Sequence, residues 1–173
     1  MTALDNLPEN PNFLSPLGFR FQIKKCPTVN FFVQSVNIPS MELINVDASN
    51  PFVKIPYGGE HISFGDLNLT FKVDEDLKNY MEIYNWIKGI GFPDKFNQYK
   101  TLKDKPVMSG EGLTSDISLL VLSSSRNPTY DIVYRDAFPV SLSQVEFNTT
   151  SQDVNYLTAT TTFRYLSYEI KTV

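Results

Sequence analysis

A single histidine, His61, and a single cysteine, Cys26, bound the nucleophilic chemistry open to this 173-residue chain. A Ser–His–Asp or Cys–His device has to recruit His61. The segment around it, Glu60 to Phe64, carries no motif of such a site, and a surface or interface side chain is the expected role. Cys26 stands before Pro27 with no second cysteine at metal-ligand spacing, which excludes a thiolate zinc site and an internal disulfide. A small buried or half-buried thiol is the expectation. Asp74, Glu75 and Asp76 could be read as a metal or acid–base cluster. Their place at the start of a helical pattern accounts for them, because a helix N-terminus favours negative charge. No catalytic, cofactor-binding or metal-binding residue is assigned, and neither an enzyme activity nor a cofactor is expected.

Phosphate recognition fares no better. Gly58-Gly59 and Gly110-Glu111-Gly112 lack the lysine and the helix context of a phosphate loop and read as turns. The densest basic stretch, Lys100 to Lys105 (KTLKDK), contains an aspartate and no interleaved aromatic, as a solvated loop does. The net charge of −4 and pI near 5.0 run against a protein that grips a polyanion. That balance does suit a surface that DNA passes without sticking, since like charges repel at short range. Asn68-Leu69-Thr70 and Asn148-Thr149-Thr150 match glycosylation sequons by chance, and Trp86 reads as core.

The elements that position these residues follow from periodicity. Phe19, Phe21 and Ile23 alternate with Arg20, Gln22 and Lys24, the pattern of a half-buried strand. Between Val29 and Ile38 the apolar parity flips, which predicts a β-bulge or bend near Gln34. Pro39 to Gly59 reads as a projecting loop or loose hairpin. Leu67, Leu69, Phe71 and Val73 then alternate with Asn68, Thr70 and Lys72. Immediately after, the period changes: Leu77, Tyr80, Met81, Tyr84 and Ile87 fit an amphipathic helix. Gly89, Gly91 and Pro93 stop it. Leu77, Met81, Tyr84 and Ile87 are the expected buried face, so that Met81→Asp would unfold the protein. Residues 91–115 read as a polar connection. Strands follow at 117–122, 130–135 and 138–147. A last run, 155–170, would span about 50 Å if straight, so it either bends or extends beyond the body to pair elsewhere.

The composition, 42% hydrophobic and 20% charged with 13 Phe and 9 Tyr, is that of a folded, β-rich chain with a large buried contact surface. Residues 1–16, with Pro8, Pro11 and Pro16, read as a flexible N-terminal arm, and 17–173 as a single domain. The fold expected is mainly β: an antiparallel β-sandwich or barrel with one flanking α-helix. The opening residues carry no basic-then-apolar stretch and no run approaches the ~20 apolar residues of a membrane helix, so a cytoplasmic origin without a membrane partner is expected.

Two stretches carry a family likeness. FGDLNLTFKVDEDLKNYMEIYNWIKGI, residues 64–90, joins an alternating strand to an acidic helix start and a Tyr/Trp-bearing helix. FPVSLSQVEFNTTSQDVNYLTATTTFRYLSYEI, residues 138–170, joins a proline-initiated strand, a polar turn and a strand ending in aromatics. Together they resemble the tail-tube family of T4-type contractile bacteriophages. The resemblance spans residues 17–170. It implies a six-membered ring in a virion tail, with strands forming a continuous barrel around a lumen that conducts DNA without specific binding. The helix would lie outside, and ring neighbours, stacked rings and sheath, baseplate or neck proteins would be the partners. Assembly would take place in the host cytoplasm. A repeated tube subunit and a tube-end ring (a terminator at the neck or an initiator at the baseplate) both fit. A β-sandwich module for carbohydrate or receptor would need exposed aromatics gathered in a groove, and a hydrolase would need a nucleophile motif. In the last strand the Thr158, Thr160 and Thr162 row is uncharged, and with Asn68, Thr70 and Lys72 it is the expected wall of such a lumen.

Overall fold

A computed structural model describes residues 12–49, 51–91, 96–104, 112–149 and 156–173. Among them run nine strands, β1 (Phe19–Ile23), β2 (Val33–Val36), β3 (Met41–Ser49), β4 (Lys54–Phe64), β5 (Leu67–Lys72), β6 (Ser115–Leu122), β7 (Pro128–Leu142), β8 (Thr158–Arg164) and β9 (Ser167–Thr172). Two helices, α1 (Lys78–Gly91) and α2 (Phe96–Asp104), and a 3-10 turn at Val29–Phe31 complete the description. The expected antiparallel, mainly β architecture with a long flanking helix is what is seen. In addition, a short second helix lies within the 91–115 connection and takes up Lys100 to Asp104, read above as loop.

The main sheet runs β1-β6-β7-β8-β5-β2, with β9 also paired to β7. β7 makes this closure possible. Its first half pairs with β6 and β9, its second half with β8, and Asp136 between them adopts a positive φ of 53°. That residue turns the strand from one layer into the other. The two layers face each other through alternate side chains: Phe21, Ile23, Ile117, Leu119, Ile132 and Tyr134 from one, Leu67, Leu69, Phe71, Ala159 and Phe163 from the other, all buried. The parities read from β1, β5 and β8 therefore hold. The bulge expected near Gln34 is also present, as a register shift between Val33 and Ser35 against β5.

The run 155–170 takes the first of its two expected courses and bends: it breaks at Tyr165-Leu166 into β8 and β9, which pair with different parts of β7. Two expectations are corrected. Tyr130–Arg135 and Phe138–Phe147, read as separate strands, are joined in the continuous β7, which ends at Leu142. The buried face of α1 is Asn79, Ile83, Trp86 and Gly89, whereas Met81 and Tyr84 are each 43% exposed and Leu77 38%. Ile87 is half-buried as an edge of the true face. The error is a rotation of under half a turn. Two apolar stripes coexist on this helix, and periodicity cannot say which one meets the core.

Candidate functional surfaces

The residues that could do chemistry are dispersed. His61 is exposed on β4. Cys26 is buried, and burial, with the charge of Glu82, pushes its thiol up to about 12. Asp74, Glu75 and Asp76 precede α1 instead of occupying its first turn, which holds no acidic residue. They sit in a turn closed by the Leu77 amide donating to the Asp74 carbonyl (2.9 Å), with Leu77 at φ 57°. Asn79 organises this corner. Its Oδ1 accepts from the amides of Asp74 (3.2 Å) and Tyr80 (2.8 Å), and its Nδ2 donates to the Lys72 carbonyl (2.8 Å). Sequence reasoning missed this residue. Among the described residues no group of three or more His, Cys, Asp or Glu side chains could hold a metal ion. Trp86 is core, 6.0 Å from the Phe163 ring, with its indole N–H donating to the Leu113 carbonyl. No helix among the described residues is long and apolar enough to cross a membrane.

The rows expected to form one wall do meet. β5 and β8 pair in the register Asn68↔Thr162, Thr70↔Thr160 and Lys72↔Thr158, which makes the two polar rows direct cross-strand neighbours on the face away from the core. Thr70 Oγ1 and Thr160 Oγ1 share a hydrogen bond (3.1 Å), and Thr162 Oγ1 donates to Asn68 Oδ1 (2.9 Å). These bonds tie down the asparagine and threonine side chains, and Lys72 is the one charged member of the ladder. The cations at its ends are engaged: Arg164 pairs with Asp66 (2.6 Å), and the Lys72 ammonium lies 4.7 Å from the Tyr156 ring centre.

The β3–β4 hairpin is the second surface. It forms a two-stranded sheet that pairs with no strand of the main sheet. Pro39 to Gly59 is thus a long hairpin, and Gly58-Gly59 lies within β4 instead of turning it. Gly59 is required there, because a Cβ would sit 1.8 Å from the Ile44 carbonyl oxygen at the register shift between Leu43 and Asn45. Met41, Leu43, Ile44, Val46, Tyr57 and Ile62 are 52–61% exposed, and they fall on both faces of the ribbon. An isolated two-stranded ribbon is marginal in water, and apolar side chains on both faces mark a surface to be covered. The sequence signal was present in adjacent apolar pairs, Leu43-Ile44 and Phe52-Val53, which no half-buried strand needs. The hairpin base is held: the Gly65 amide donates to the Ser40 carbonyl (2.8 Å), the Tyr165 hydroxyl donates to the Gly65 carbonyl (2.9 Å), and Phe64 packs edge-on to Tyr168 at 5.4 Å.

A third surface is a cleft of about 600 Å³ at the β5–α1 corner. Phe32, Val73, Leu77, Tyr156 and Leu157 make it apolar, and the carboxylates Asp74 and Glu75 are among its walls.

Comparison with known proteins completes these observations. The model of the family described as phage tail tube protein matches residues 7–171. No curated protein matches the chain in sequence. A chain in the tube-terminating cap of the anti-feeding prophage is similar in structure, with TM-score 0.61, 13% identity and coverage of 100% of both chains. Another comes from the extended sheath–tube complex of the PVC extracellular contractile injection system, with TM-score 0.58, 14% identity and coverage of 100% of this chain and 99% of that one. A third, from the sheath/tube terminator of that system, has TM-score 0.58, 13% identity and coverage of 94% and 99%. At these identities the likeness is one of fold.

Proposed function

Because this chain belongs to the phage tail tube protein family, and is thereby a structural tail protein, we propose that it forms a closed six-membered ring of the inner tail tube, with DNA passing through its lumen. The observation that carries the reading is the Asn68/Thr70/Lys72–Thr158/Thr160/Thr162 ladder. A wall along which a polyanion slides must present few cations, since each fixed Lys or Arg adds a phosphate contact and slows passage. Here Asn68, Thr70, Thr160 and Thr162 satisfy one another, the flanking Arg164 is paired to a carboxylate, and the single cation of the ladder, Lys72, lies over the Tyr156 ring. The role is structural and non-enzymatic, in the virion after assembly in the host cytoplasm. The partners are ring neighbours, stacked rings and the sheath, baseplate or neck proteins. Residues 17–173 act as one body, with 1–16 as an arm.

A tube-end ring is the second reading. It is favoured by the likeness to the anti-feeding prophage cap and to the PVC terminator, which is as strong as that to the sheath–tube complex. Electron microscopy of the purified protein separates these. Stacked tubes of six-fold rings support a repeated subunit, single rings that do not stack support an end ring, and a chain that stays monomeric alone and with tail partners ends both. The lumen assignment has its own check. Thr160→Lys in assembled rings should create salt-sensitive DNA retention that the wild type lacks. Equal retention by both particles would remove the ladder from the channel.

A further inference from the structure

The hairpin tip and the β5–α1 cleft have matching chemistry, yet one copy does not join them. At the tip, Phe52 is 95% exposed, Val53 is 59% exposed, and Lys54 is exposed beside them. The cleft is apolar, and a volume of about 600 Å³ lies within the roughly 300–1,000 Å³ range of pockets that enclose a bound group. Among the described residues, Lys54 and Glu75 have no ion-pair partner and Asp74 acts only through its charge on Lys78, which is paired to Asp76, whereas the one cation in the cleft wall, Lys72, is already over the Tyr156 ring. An apolar plug carrying one ammonium therefore faces an apolar socket carrying two carboxylates. The hairpin leaves the body at Phe64, just before β5 begins, while the cleft lies where β5 ends. The six residues of that strand separate them by about 20 Å. The ribbon pairs with no strand of its own body and its tip is exposed, so a copy's tip is not in its own cleft.

We propose that the hairpin tip of one copy docks in the β5–α1 cleft of the next, Phe52 and Val53 entering the apolar pocket and Lys54 meeting Asp74 and Glu75. The occupant is a second copy of this chain, and the proposal rests on the ring reading given above. Each copy offers two different patches, the tip at the far end of β4 and the cleft where β5 ends, so the contact is head-to-tail and propagates from copy to copy.

Two measurements on the full-length chain test it. In the first, Phe52→Cys and Tyr156→Cys are combined and treated with a short bismaleimide. Cys26 is buried with its thiol held protonated and does not compete. A ladder of covalent oligomers that neither single variant gives is expected. In the second, Lys54→Glu and Glu75→Lys, both at exposed positions, should each raise the concentration needed for assembly by tenfold or more, and the double exchange should bring it back. Rings of the double-cysteine variant that give no covalent ladder, or charge variants that assemble like the wild type, overturn the docking and leave the ring reading standing. A wild type that is monomeric at every concentration overturns both.

Discussion

Asn79 is the side chain that joins strand to helix, with three hydrogen bonds to backbone at a fully buried position. Asn79→Ala would leave buried backbone groups without partners, at a cost of about 2–3 kcal/mol. The urea midpoint should fall while the slope of the transition is unchanged, and an unaltered midpoint would remove Asn79 from this role. Nothing local in the sequence singles it out. An asparagine near a helix start reads as surface, and its burial comes from the Lys72 carbonyl of the preceding strand. Cys26 is the opposite case: a lone cysteine ahead of a proline, with no partner at ligand spacing, already reads as a buried or half-buried thiol. Its folded pKa, about 12, lies above the ordinary 9.0. The unfolded chain gives up this proton as pH passes 9 while the folded chain keeps it. Stability from this group is thus complete below pH 9 and lost as pH rises toward 12. Cys26→Ala should flatten the alkaline loss of stability between pH 9 and 10, before tyrosines join it. Parallel slopes for the two proteins in urea titrations across that range would contradict the assignment.

At the scale of elements, α1 is where pattern and packing part. Ile83, fully buried, should not tolerate Asp: a charge there costs about 4 kcal/mol or more, and Ile83→Asp should be recovered unfolded. Met81→Asp, on the exposed stripe, should fold with a stability loss of about 1 kcal/mol. Circular dichroism melts of the pair decide between the two faces, and the reverse ranking would restore the face that periodicity suggested. Strands were more legible than the helix. A period of two admits only two faces, and in β1, β5 and β8 only one is apolar. The hairpin was legible as a projecting loop or loose hairpin, but not as two strands reaching Phe64. Its strands carry apolar residues at both parities, with Met41, Leu43, Ile44, Val46, Tyr57 and Ile62 exposed, and a rule that sorts inside from outside has no answer for such a ribbon. A bend in the run 155–170 was one of its two expected courses, but the place of the break between β8 and β9 was hidden for another reason. Aromatic alternation runs straight through Tyr165 and Leu166, and only the competing demand of β7 for two partners divides the run.

For the whole molecule, the docking proposed above makes the hairpin the part that separates folding from assembly. Its two ends meet at the Gly65–Ser40 hydrogen bond, so residues 41–64 can be replaced by a short turn without stretching the body. The shortened chain should melt cooperatively, keep its β signature and sediment as a monomer, and rings formed without the hairpin would assign assembly to another surface. The sheet order also has a consequence in time. Phe19 in β1 pairs with Val121 in β6, and Thr70 in β5 pairs with Thr160 in β8. Each partner is made roughly a hundred residues after the strand that needs it, which at 5–20 residues per second is a wait of about 5–20 s on the ribosome. Neither layer can close before β7 and β8 have emerged, so Phe21, Ile23, Leu67, Leu69 and Phe71 stay uncovered for most of synthesis. A subunit needed in many copies at once would crowd a host cell with such half-made chains, and its yield would be governed by how quickly the last fifty residues arrive, an outcome set by strand order and independent of final stability.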